Sequence, residues 1–234
     1  MRSRQESIGR LLLETISVSD VDRLEFAAAA FVTFFVVIDP IGVLPVFMAL
    51  TARKSTAARR SVAVRMIFLA AMALLVFAIA GGTVFRFLGI SLAAFRIAGG
   101  LLLLLVSVDM LLVRPSGLRT ATEAEEREAK ESTDVAAFPL AVPLIAGPGA
   151  ITSVILITGK AGSDIVLQFT AIAALIATLL LSLAILLCAS RLMSHLGQTG
   201  VNVAGRVFGI VLAGLAIQHI IDGIAASFPM LVRP

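Results

Sequence analysis

Six long apolar runs, separated by short charged stretches, organise this chain. A helix needs about 20 apolar residues to cross a bilayer. Runs at roughly 24–50, 62–85, 93–113, 137–158, 166–190 and 204–225 meet that length. They predict an all-α polytopic membrane protein with six transmembrane helices. The single long polar loop, 114–136, falls between the third and fourth runs. Its acidic stretch from Glu123 to Glu131 reads as a solvated, partly helical linker without chemistry. Residues 1–23 carry Arg2, Arg4, Arg10 and Arg23 around Leu11-Leu12-Leu13. Glu14 interrupts that short apolar core and no small-residue cleavage site follows, so an interfacial amphipathic helix fits better than a signal peptide.

The first run is broken near its middle. Asp39, Pro40, Gly42 and Pro45 interrupt the sequence from Phe34 to Phe47. Proline removes a backbone donor, glycine is a poor helix former, and a buried carboxylate is costly in lipid. Such a break is tolerated at membrane depth only where it lines a cavity or is buried in protein. The fourth run is interrupted in the same way by Pro139, Pro143, Gly147, Pro148 and Gly149. Pro148 follows Pro40 at an offset of 108, and the Arg-x-x-Gly that opens the third run at Arg96 recurs at Arg206, an offset of 110. The expected architecture is therefore two three-helix repeats, 24–113 and 137–225, joined by the linker 114–136 and followed by the tail 226–234. Because three is odd, the second repeat enters from the opposite side. Paired interruptions in corresponding positions of inverted repeats point to a transporter's substrate site.

Composition sharpens this picture. The chain is 59% hydrophobic and 15% charged, with mean hydropathy +1.04, against about 45–50% apolar and about 25% charged in a soluble domain. There is no Trp or Tyr, so the usual aromatic belt is missing, and no basic stripe suggests nucleic acid. Cys188 is alone, which excludes an internal disulfide, and two histidines are too few for a His-rich metal pathway. Arg53, Lys54, Arg59 and Arg60 follow the first run, and Arg114, Arg119, Arg127 and Lys130 lie in the middle loop. The positive-inside rule places both loops in the cytoplasm and both termini outside; the basic N-terminal segment opposes this.

Ile38-Asp39-Pro40-Ile41-Gly42 followed by Pro45-Val46-Phe47, with the stretch from Pro139 through Gly147-Pro148-Gly149 to Thr152, resembles the MarC/SnatA family of inner-membrane proteins. The resemblance covers about residues 24–225. It implies a six-span, LysE-like transporter group in the prokaryotic inner membrane, some of whose members are regarded as carriers of small neutral amino acids such as glycine and alanine.

A zwitterion needs a partner for its carboxylate and one for its ammonium. The exposed N–H groups of a half-helix N-terminus suit the carboxylate; free carbonyls or an acid suit the ammonium. The expected substrate site is therefore Asp39, Pro40, Gly42, Gly147, Pro148, Gly149, Thr152 and Ser153. The glycines would let backbone approach the ligand, and the two hydroxyls would add polar contacts. Asp39 is an ammonium partner, a proton carrier or an N-cap of the second half-helix. Asp109 and Asp222 are interfacial acids or coupling groups. Gln218, His219 and Asp222 share a helix face and form either a proton relay or a packing network. Arg96 and Arg206 snorkel to the interface or form gating ion pairs with those acids. Gly99, Gly100, Gly205, Gly209 and Gly214 read as helix packing.

Enzyme signatures are lacking: neither Gly-x-Gly-Asp, Gly-x-Ser-Gly nor His-Glu-x-x-His occurs. The expectation is a secondary transporter of small neutral amino acids working by alternating access, without a cofactor, coupled to H+ or Na+, held in membrane lipid and capable of forming a homo-oligomer. The competing reading is a metal-ion or other small-solute exporter of the LysE-like group.

Overall fold

The computed structural model describes residues 22–112 and 145–228, with backbone alone at Arg86. The amphipathic segment expected over 1–23 (apart from Asp22 and Arg23), the linker 114–136, the start of the fourth run at 137–144, and the tail beyond Phe228 lie outside the described residues. Seven helices occur among them, and no strand. They are α1 (22–38), α2 (Pro40–Leu50), α3 (Thr56–Phe87), α4 (Leu92–Leu112), α5 (Pro148–Ala161), α6 (Ile165–Leu187) and α7 (Ala189–Ser227). Five segments are long and apolar enough to cross a membrane: α1 with α2, then α3, α4, α6 and α7. The described part of the fourth run, α5, has 14 residues and spans about 21 Å.

The first run breaks at one residue. Asp39 adopts φ 47°, ψ 63°, and is the one described non-glycine residue with positive φ. A residue before proline is disfavoured in the right-handed helical region, and Asp tolerates the left-handed region better than most non-glycine residues. Pro40 occupies the first helical position of α2, where its missing donor is harmless. Pro45 was expected to interrupt the run as well, yet α2 continues through it, giving up one backbone hydrogen bond. In the fourth run the extended backbone of Gly147 (φ −64°, ψ 172°) precedes Pro148 at the start of α5.

Two other helices start earlier than the sequence reading has them. The second helix starts at Thr56, six residues before the apolar run. The last helix starts at Ala189 and is broken at Gly197 (φ 60°, ψ 179°). Arg206 lies nine residues beyond that break.

The broken first span is the axis of the bundle. Its most apolar stretch is 56% buried, against 22–39% in the other four spans. Phe34, Ile38, Leu44 and Phe47 are fully enclosed. Large apolar side chains such as Phe68, Ile79, Leu105 and Ile210 stand on the outer surface, as a lipid-facing bundle requires. Thr178 and Ser182, buried on α6, return their hydroxyls to Ala174 O (2.9 Å) and Thr178 O (2.8 Å). That internal bonding satisfies polar groups without water.

α4 packs along α7 over most of its length. A Cβ on Gly100 would lie 2.7 Å from Ala216 O, and one on Gly223 would lie 2.8 Å from Ala93 O. A Cβ on Gly209 would meet Met110 Cβ at 3.1 Å. Gly99 is filled by the Thr152 methyl. These glycines pack as expected. Gly205 and Gly214 have no described atom within 4 Å of a built Cβ, so the packing expected of them is corrected.

Candidate functional site

Two places gather the residues singled out in the sequence. The first is the pair of breaks. Asp39 is almost fully buried and its Oδ1 accepts from Gly42 N at 3.0 Å. Val43 N reaches Asp39 O at 3.2 Å. The carboxylate thus caps α2. A Cβ on Gly42 would run into that carboxylate. Gly42 therefore makes room for the cap. Pro40 is buried behind it.

The start of α5 lies beside this break. A Cβ on Gly149 would lie 3.4 Å from Val37 Cγ1 and 3.1 Å from Leu103 Cδ2. Gly149 thus fits against side chains, not against open space. Gly147 provides no side-chain cap, and Pro148 takes the first helical position. One turn on, Thr152 and Ser153 are buried. Thr152 spends its methyl on Gly99. Ser153 Oγ is enclosed without a hydrogen-bond partner.

The second place is a cavity of about 270 Å³ between α1, α4, α5 and α7. Its polar wall is Thr33, Arg96, Lys160, Gln218, His219 and Asp222. Arg96, His219 and Asp222 are half-buried, and Lys160 sits at the exposed rim. Gln218 Nε2 donates to Asp222 Oδ1 at 2.7 Å. His219 Nε2 is enclosed without a partner, so the hydrogen bonding of Gln218 and Asp222 does not continue through it. Thr33 donates to Ala29 O at 2.7 Å. Arg96 and Asp222 both line this cavity.

The other acid and arginine are elsewhere. Asp109 is 13 residues beyond Arg96 on α4, and Arg206 is 13 before His219 on α7. Each is about 20 Å away at helical rise, at the end of the seam where Gly209 meets Met110. Arg206 therefore cannot pair with Asp222.

Thr33 and Lys160 were not singled out from sequence. The available signal was spacing: Leu156, Ile157 and Lys160 fall three and four residues apart, on one face of α5. A larger space of about 570 Å³ lies between α3, α5 and α6, but its described lining carries no charge. Among the described residues no three of His, Cys, Asp and Glu come together as metal ligands.

The profile described as MarC family integral membrane protein matches residues 24–228. A UPF0056 membrane protein of Archaeoglobus fulgidus is 40% identical over 207 residues, covering 86% of this chain and 93% of its own. The UPF0056 membrane protein YvbG of Bacillus subtilis is 31% identical, covering 88% and 97%. The UPF0056 membrane protein YhcE of Escherichia coli is 33% identical, covering 87% and 94%. No solved structure matches the chain.

Proposed function

The chain belongs to the MarC family of integral membrane proteins, and from that premise we propose that it is a secondary transporter of small neutral amino acids such as glycine and alanine, working by alternating access. The fourth run, roughly 137–158, also crosses the membrane in this reading, completing two inverted three-helix repeats over 24–113 and 137–225. The protein acts in the prokaryotic inner membrane, as a carrier and not an enzyme, with H+ or Na+ as coupling ion.

The observation that carries this reading is the adjacency of the two breaks. Asp39 and Gly147 each start a half-helix, and Val37 and Gly149 lie side by side. Asp39 occupies the N-terminus of α2, whereas that of α5 has no side-chain cap, and such an N-terminus attracts a carboxylate. Irregular backbone buried within protein gives two rigid arms a common pivot. Asp39, Pro40, Gly42, Gly147, Pro148, Gly149, Thr152 and Ser153 form that pivot, and the substrate passes along it. Space for substrate there requires the arms to separate, because Gly149 and Gly99 are filled by neighbours in the present conformation.

The test is uptake of labelled glycine and alanine into proteoliposomes under a proton gradient, a sodium gradient and neither. Saturable uptake driven by one gradient is expected. Folded protein that moves neither amino acid under any gradient would overturn the reading in favour of a metal-ion or other small-solute exporter.

A further inference from the structure

We propose that the cavity between α1, α4, α5 and α7 is a binding site for a small solute carrying both a carboxylate and an ammonium, held between Arg96 and Asp222. This deepens the carrier reading and rests on it for the choice of probe. The cavity presents two cations, Arg96 and Lys160, and one acid, Asp222. Among the described residues neither cation is paired with that acid; Gln218 takes Asp222 Oδ1 instead. Charges in a membrane protein normally pair with one another, because an isolated one is costly. Here they line the same space without pairing, which leaves unneutralised charge of both signs around one gap.

Charge and size restrict what fills the gap. An anion alone would meet Asp222, and a cation alone would meet Arg96 and Lys160. A dipolar solute satisfies both sides, its carboxylate at Arg96 with Lys160 at the rim and its ammonium at Asp222. His219 Nε2, buried without a partner, adds a ring nitrogen to the same wall. At about 270 Å³ the space is smaller than the roughly 300–1,000 Å³ of drug-sized ligand sites. Alanines 29 and 30 with Leu156 and Ile157 form its apolar part. The cavity lies about two helical turns from the breaks. Thr33 precedes Asp39 by six residues and Leu156 follows Gly149 by seven, about 9–11 Å along their helices. It is the station at which solute waits before the arms separate.

Binding, not transport, tests this. Labelled glycine is titrated into the full-length protein in nanodiscs, with acetate and methylammonium as competitors. Saturable binding is expected, with each competitor weaker by at least about tenfold, since each satisfies one side only. Arg96→Gln and Asp222→Asn should each weaken glycine by about 10- to 100-fold. Arg96→Lys should retain part of the affinity, and lipid-facing Leu105→Ala should bind as the parent protein does. Glycine binding untouched by both charge removals would overturn the proposal while leaving the carrier reading intact. Binding lost in both, with the competitor pattern above, would uphold it even if proteoliposomes show no uptake. Competition by acetate or methylammonium as strong as by glycine itself would overturn it independently of any variant's folding.

Discussion

Asp39 and Gly42 form one unit at the scale of residues. The carboxylate occupies the place where a side chain at position 42 would begin, so each residue's identity depends on the other. Removing the cap by Asp39→Ala should cost about 0.5–2 kcal/mol, with more from placing alanine at positive φ. Gly42→Ala should destabilise by a comparable amount in the parent protein, because the new methyl displaces the carboxylate. In an Asp39→Ala background the same change should be nearly neutral. Thermal unfolding of the four proteins in detergent gives the coupling, expected at about 1 kcal/mol or more; additive losses would show that the two side chains act separately. The acid, the glycine and the proline were all legible in the sequence as a break. Their division of labour was not, because a cap and a ligand call for the same residue types. Only the position of Oδ1 against Gly42 N separates the two.

The seam of α4 and α7 is the clearest feature among the elements. Gly100 and Gly223 each place backbone against a carbonyl oxygen of the facing helix. A carbonyl cannot rotate away as a side chain does. Gly100→Ala or Gly223→Ala should therefore force the helices apart, at about 1–3 kcal/mol. Gly214→Ala meets nothing among the described residues and should be neutral or stabilising by up to about 1 kcal/mol through helix propensity. Melting temperatures in one detergent would rank the three; equal effects would refute the seam. Composition marks all of these glycines alike, and only the facing element decides which of them matters. The same limit explains Lys160 and Thr33. Their helices were foreseeable, but their convergence with Arg96 and Asp222 depends on how four helices pack. The boundaries of α4 and α6 were nearly right because apolar runs end where charge begins. Those of α3 and α7 were not, since their helices extend into polar sequence.

For the whole molecule, the order of helices places the α2–α3 turn on one membrane face. The start of α1, the α3–α4 turn and the α5–α6 turn lie on the other. By the positive-inside rule, Arg53, Lys54, Arg59 and Arg60 predict that the first face is the cytoplasmic one. In a Cys188→Ser background, Ser163→Cys should react with an impermeant thiol reagent in intact cells, and Ala52→Cys only after permeabilisation. Both positions are exposed; the reverse pattern would invert the assignment. α3 carries a further consequence for how the protein sits in its bilayer. Between Arg65 and Arg86 it has 20 consecutive uncharged residues, 66–85, about 30 Å of helix. That equals the hydrocarbon thickness of an ordinary membrane, about 30 Å. That match makes α3 a ruler for the bundle's depth. A bilayer thicker or thinner by one helical turn would have to be met by thinning, thickening or tilt, and every tilt of α3 would be passed to the helices packed against it.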